Sequence, residues 1–115
     1  MVVAEWSKTQ ESGDVAVFRG RVLLKNVQFE RMSQSGTTHG AVRFLFSKHY
    51  ESMVHKCAFY NHYSLALFVY KADNIKFKDN FIYKTTRNAI VIRGTNKLDL
   101  AQNLIVANEA RNWNN

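Results

Sequence analysis

Four side chains that bind metals or carry protons fall within fourteen residues of one another: His49, His55, Cys57 and His62. Imidazole and thiolate are the usual ligands of zinc, so this density raises a metal site first. The spacing H-x5-H-x-C-x4-H matches no zinc finger. Cys57 beside a histidine also raises a thiolate nucleophile with its base, yet no orienting third group or oxyanion donor stands at readable spacing. Cleavage of a polysaccharide would need an acid and a base flanking the bond, and Asp79 and Asp99 are the carboxylates to consider. Gly94-Thr95-Asn96-Lys97 has a glycine and a lysine but lacks the second glycine and the helix of a phosphate loop. Which of these chemistries survives depends on where the backbone puts each residue.

The backbone pattern is a repeat. Leu67-Phe68-Val69 falls on Ile90-Val91-Ile92 at an offset of 23 residues, and the same offset places Ile75 on Leu98, Phe77 on Leu100, Asn80 on Asn103 and Ile82 on Ile105. A fixed period of this length marks a solenoid, in which each repeat buries its apolar edge against its neighbours. Apolar residues alternate within the unit (Leu67, Val69; Ile75, Phe77), which is the period of strands. Three short strands per repeat, parted by polar corners such as Lys71-Ala72-Asp73-Asn74, predict an all-β right-handed parallel β-helix of about four coils.

Earlier coils follow with insertions. Val22, Leu24 and Phe29 take the positions of Ser52, Val54 and Phe59 at an offset of 30, so a loop from Arg31 to Gly40 interrupts the first coil. Val42 and Phe44 take the positions of Leu67 and Val69 at an offset of 25, with the extra residues near Ser47 to Glu51. The inward columns are then Val42/Leu67/Ile90, Phe44/Val69/Ile92, Leu24/Val54/Phe77/Leu100 and Phe29/Phe59/Ile82/Ile105. Asn80 and Asn103 share a corner column, where side-chain amides form a ladder. Cys57 falls in that same column, as a packed thiol, and His55 alternates outward with Lys78, which separates the apparent metal ligands. Asp99 falls on Lys76 and Asp79 on Gln102, so no two carboxylates share a column. The residues predict no catalytic, metal or cofactor site.

Composition sets the remaining limits. The 115 residues suffice for one domain, with residues 1–14 as an N-terminal segment or cap and 15–115 as the repeat domain. Val2, Val3 and Trp6 suit an edge strand or a short capping helix, and Ser12-Gly13-Asp14 a turn. One cysteine forms no internal disulfide, and proline is absent, as suits strands that use every backbone donor. No basic-then-apolar leader and no apolar run of spanning length is found, so no signal, anchor or membrane insertion is expected of this segment. The net charge of +7 favours anionic partners.

Several strands resemble a known family. Ser52 to Phe59, then Ser64-Leu65-Ala66 and Asp79-Asn80-Phe81-Ile82, are similar to the β-helix region of the fibrocystin and fibrocystin-L family, which is related to cell-surface hyaluronan-binding proteins with a G8 domain. Asn26 to Glu30 resembles that family's NVEF strand, and Ala41 to Leu45 its AVTFL strand. The resemblance spans roughly Gly20 to Ala107 and implies a segment of a larger secreted or membrane-anchored protein on the extracellular side. Leu65 stands where the family tends to have proline. Arg43-Phe44-Leu45-Phe46 lacks the histidine of the hyaluronan-degrading relatives, so no hyaluronidase activity is carried over.

Two surfaces remain as candidates. On the strands of the first face, Arg43, Leu45, Phe68, Tyr70, Val91 and Arg93 point outward by alternation. Most are apolar or aromatic, and an arginine-rimmed patch of this kind suits a neighbouring domain or partner. Lys76, Lys78, Lys84, Arg87 and Lys97 form a basic set for a polyanion, with a glycan favoured over nucleic acid by the resemblance. The expected function is a non-catalytic extracellular scaffold segment of receptor or adhesion type. The alternative is a module that binds or degrades a hyaluronan-like glycan.

Overall fold

The computed structural model describes residues 1–31, 40–62, 65–85 and 88–106, apart from the side chains of residues 61 and 62. Among them are thirteen strands and no helix. They are β1 (Val2–Thr9), β2 (Val15–Arg19), β3 (Leu23–Lys25), β4 (Gln28–Glu30), β5 (Val42–Leu45), β6 (Ser52–His55), β7 (Ala58–His62), β8 (Leu67–Tyr70), β9 (Ile75–Lys78), β10 (Phe81–Thr85), β11 (Ile90–Arg93), β12 (Leu98–Ala101) and β13 (Leu104–Val106). Three sheets collect them in the orders β11-β8-β5-β1-β2, β12-β9-β6-β3 and β13-β10-β7-β4. From β3 onward, each sheet takes every third strand, and all pairs except β1 with β2 are parallel. The expectation of an all-β chain with parallel pairing holds at this level.

Register agrees with the sequence offsets. Val42 pairs with Leu67 and Leu67 with Ile90; Leu24, Val54, Phe77 and Leu100 follow one another; so do Phe29, Phe59, Ile82 and Ile105. Alternation then drives one face of every strand inward, and the core is the set of middle residues: Val42, Phe44, Val54, Phe59, Leu67, Val69, Phe77 and Ile82 are all fully buried. Phe59 stacks on Phe29 with ring centres 4.9 Å apart. The last members of the columns differ from expectation. Ile92, Leu100 and Ile105 are 38, 41 and 44% exposed, because each has an apolar neighbour on only one side.

The chain turns between sheets by a repeated device. Asn26, Lys56, Asp79 and Gln102, which precede β4, β7, β10 and β13, all have φ between 53 and 58°. Phe46 and Lys71 after β5 and β8 have φ of 58 and 47°, and Gly94 after β11 has 64°. A left-handed residue bends the chain in one step while keeping its amide in the ladder. Thus Asn26 N donates to His55 O, Lys56 N to Lys78 O, Asp79 N to Ala101 O, Phe46 N to Tyr70 O and Lys71 N to Arg93 O. Such a conformation costs a side-chain-bearing residue about 1–2 kcal/mol, which a backbone hydrogen bond of ~0.5–1.5 kcal/mol roughly offsets.

The N-terminus is a strand and not a capping helix. β1 joins the first sheet parallel to β5 through Val2–Arg43 and Val3–Phe44, so Val3 extends the inward column and is buried. Beyond Ala4 the strand pairs antiparallel with β2, and the residue 14/15 boundary falls at the turn of this hairpin. There Gln10 N donates to Asp14 O and Gly13 N to Gln10 O, with Gly13 at a φ of 87°. At the hairpin's base Gly20 N donates to Ala4 O, and a Cβ on Gly20 would lie 2.5 Å from that oxygen. Only glycine fits so close an approach.

Phe77 is fully buried between Val54 and Leu100, whereas its neighbour Lys76 points outward toward Glu51. Phe77→Ala is expected to lower the unfolding free energy in urea by about 3–5 kcal/mol, from lost contact and the cavity left behind. Lys76→Ala is expected to change it by less than ~0.5 kcal/mol.

Candidate functional site

Alternation along β5, β8 and β11 sends Arg43, Phe68 and Val91 in one row, and Leu45, Tyr70 and Arg93 in another, to the face opposite the core. The rows are not equally open. Phe68 is only 6% exposed, which corrects its assignment to an exposed patch. Its neighbours account for part of the cover: the Arg43 guanidinium lies 6.0 Å above its ring, and the Tyr70 ring stands parallel to it at 6.5 Å. The Arg43 Nε is itself buried and has no hydrogen-bond partner among the described residues. Leu45, Tyr70 and Val91 are half-buried, and Arg93 is exposed. The loop residues 32–39 lie outside the described residues.

The accessible part of this face includes a residue that alternation missed. Phe46 follows outward Leu45 and would be expected inward, but its left-handed backbone turns it out, where it is 47% exposed. It meets the Tyr70 ring edge-on at 5.4 Å, and Lys71 Nζ lies 5.3 Å over the Tyr70 ring. Phe46, Tyr70, Lys71 and Arg93 therefore gather two rings and two cations at one corner. A second aromatic group lies on the outer face of the third sheet, where Tyr60, Phe81 and Tyr83 have centres 5.8 to 6.2 Å apart. The alternation around inward Phe59 and Ile82 marks these residues in the sequence.

The basic set disperses. Lys76 Nζ lies 3.5 Å from Glu51, and Lys78 Nζ 3.0 Å from Asp99. Asp99 pairs in register with Lys76, but its carboxylate turns diagonally to Lys78. Lys84 lies 5.4 Å over Tyr83, away from Lys97, and Arg87 lies outside the described residues. Glu51, Lys76, Lys97 and Asp99 border a groove of about 210 Å³ with both signs of charge.

The metal-type residues separate as the repeat requires. His49 Nδ1 is 2.8 Å from Glu5 Oε2, and His55 Nε2 is 3.0 Å from Asp79 Oδ2. Cys57 is buried, its Sγ donating to His55 O at 3.4 Å, while the His62 side chain lies outside the described residues. Among the described residues, no three His, Cys, Asp or Glu side chains converge on a metal position.

Asn80 and Asn103 do a structural task. Asn80 Oδ1 accepts from Cys57 N and its Nδ2 donates to Val54 O, both at 2.9 Å. One repeat later, Asn103 Oδ1 accepts from Asn80 N and Nδ2, and Asn103 Nδ2 donates to Phe77 O. Each carboxamide thus reaches back one unit and satisfies a bent backbone. Asp73 works in the opposite direction: its Oδ1 accepts from Asn96 N at 2.8 Å and Lys97 N at 3.3 Å. Those backbone donors, Asn96 first, hold the Asp73 carboxyl below its usual range. The hydrogen bond from His49, together with Lys48 N, does the same to Glu5 at the hairpin base.

The chain is 33% identical to fibrocystin-L of Mus musculus over 92 residues, a match covering 72% of this chain and 2% of fibrocystin-L. The chain thus spans about one-fiftieth of the length of that curated relative. No family model matches the chain, and no solved structure matches it.

Two measurements follow from this geometry. Phe68→Ala is expected to cost about 3 kcal/mol in urea unfolding, as for a buried ring, and not the near-zero change of an exposed one. Glu5 and Asp73 have folded-state values below their unfolded ones, so their contribution is complete above the ordinary carboxylate range and is lost as pH falls through the depressed values. Asp73→Asn keeps an acceptor oxygen but cannot titrate, so its Tm is expected to fall less steeply on acidification than that of the parent chain.

Proposed function

We propose that this chain is a segment of a right-handed parallel β-helix, its three sheets being the three faces, within a larger extracellular protein of the fibrocystin type. In this reading it is a non-catalytic scaffold that presents its outer faces to a partner domain or ligand. The observation that carries it is how the reactive side chains are used. Glu5 faces His49, Glu51 faces Lys76, Asp79 faces His55, Asp99 faces Lys78, and Asp73 caps two backbone amides. Each of these five carboxylates is occupied in joining one strand or corner to another, which suits a scaffold better than a cleavage site needing a free acid and base. The resemblance of the strand motifs and the identity to fibrocystin-L support the family and, with it, the extracellular setting. Among the described residues no helix is long and apolar enough to cross a membrane.

The face with the best case for contact is the corner of Phe46, Tyr70, Lys71 and Arg93, joined by Leu45 and Val91. Aromatic side chains rimmed by cations are enriched where proteins meet. The alternative, a glycan-binding module, draws on the net charge of +7 and on Lys84 and Lys97, which stand on separate faces.

Hyaluronan incubated with the chain separates these readings. Its size distribution is expected to stay unchanged, and shortening would refute the scaffold reading. On immobilised heparin, the salt needed for elution is expected to respond about equally to Lys84→Gln and Tyr70→Glu, which each lower the net charge by one, as for diffuse charge. A drop confined to Lys84→Gln and Lys97→Gln would establish the glycan site instead.

A further inference from the structure

β11, β12 and β13 each lie at the end of their sheets, and together they form one end of the described strands. Their inward residues Ile92, Leu100 and Ile105 are 38 to 44% exposed, while the counterparts one unit earlier, Val69, Phe77 and Ile82, are fully buried. The backbone repeats the contrast. Lys71 N donates forward to Arg93 O and Ile75 N to Lys97 O. Gly94 and Leu98 hold the equivalent places 23 residues on, and no described strand lies beyond them in their sheets.

Two polar devices continue to this edge. Cys57 N donates to the Asn80 carboxamide and Asn80 N to the Asn103 carboxamide, so the amide of Asn103 is the next donor in the series. Asp73 reaches forward to the amides of Asn96 and Lys97, and exposed Asn96 occupies the place of Asp73 one repeat later. Its carboxamide oxygen is the same kind of acceptor.

We infer that this end is a docking face for a further parallel three-strand unit of the same 23-residue pattern, with an asparagine in the position that follows Asn80 and Asn103. The inference rests on the parallel β-helix reading above. Continuity with the interface between β8–β10 and β11–β13 identifies the occupant: the same apolar columns, the same slanted ladder and the same corner carboxamide complete every group left open. A second copy meeting this end with its own would bring its strands antiparallel and face Asn103 with no carboxamide. At the opposite end of a copy the free edge of β1 is taken by β2 from Ala4 onward. Although β3 and β4 are open there, Val27 stands in the corner column and offers no carboxamide to Asn103.

The test appends a copy of residues 84–106 directly after residue 106. Amide hydrogen exchange at Leu98, Leu100 and Ile105 is expected to slow at least about 100-fold relative to the present chain. A control copy with serine in place of its Ile92, Leu100, Asn103 and Ile105 equivalents is expected to give no slowing. Leu100→Ser is expected to lower Tm more in the extended chain than in the present one. Unchanged exchange in the extended chain, equal protection by the serine control, or equal Tm losses would each overturn the inference. So would protection in the present chain that grows with concentration as its mass doubles, which would assign the face to a second copy. Fast exchange at Val54 and Phe77 in both chains would instead refute the underlying β-helix reading.

Discussion

The structure depends on hydrogen bonds that pass from each three-strand unit to the next and continue through the corners before β4, β7 and β10 and after β5 and β8. A strand that ended in an ordinary loop would leave amides and carbonyls unpaired beside a dry core. Here one left-handed residue turns the chain while its own amide stays in the ladder, as at Asn26, Lys56 and Asp79. The conformational cost and the hydrogen-bond gain nearly cancel at about 1 kcal/mol each. Net stability therefore comes from the inward columns, where each buried side chain contributes ~1.5–3 kcal/mol. The corners hold the register, and the columns supply the energy.

The same constraint governs the polar residues. The corners carry amides that no strand reaches, and Asn80 and Asn103 answer them within the molecule while Asp73 does so at an exposed corner. These contacts join residues 23 to 26 apart in sequence, so they also fix how far one unit can slide over the next. A slip of one residue would turn every inward side chain outward and break the carboxamide contacts together. His49, His55 and the carboxylates of Glu5, Glu51, Asp79 and Asp99 are drawn into this work as pairs between neighbouring strands and corners, so the described members of a cluster so suggestive in sequence take separate partners.

The two ends of the stack are unlike. At one, β1 leaves the first sheet after Ala4 and folds back as a hairpin, placing Trp6 against Phe18 with ring centres 4.3 Å apart. Both rings are about half exposed, as are Val15 and Val17. A two-stranded ribbon has one neighbour per strand and no second layer, so its apolar residues cannot be buried by the hairpin alone. Its antiparallel strand nonetheless takes the place of a parallel neighbour and limits pairing at that edge.

By itself, the sequence determined strand type, period and register, because like residues at a constant spacing can be buried only against one another. Val54, Phe77 and Leu100 were aligned by counting, and the carboxamides of Asn80 and Asn103 were brought together by the same count. Tertiary structure decided what counting leaves open. Phe68, at an outward position, owes part of its cover to Arg43 and Tyr70 beside it, and outward does not mean exposed when neighbouring side chains are long. Phe46 left its alternating place because of one backbone angle, which no periodicity records. The choice of Lys78 over Lys76 by Asp99, and of His55 by Asp79, was made by the reach of flexible side chains across adjacent strands. The strand character of Met1 to Thr9 came from a parallel edge offered by β5, an interaction between residues some forty positions apart.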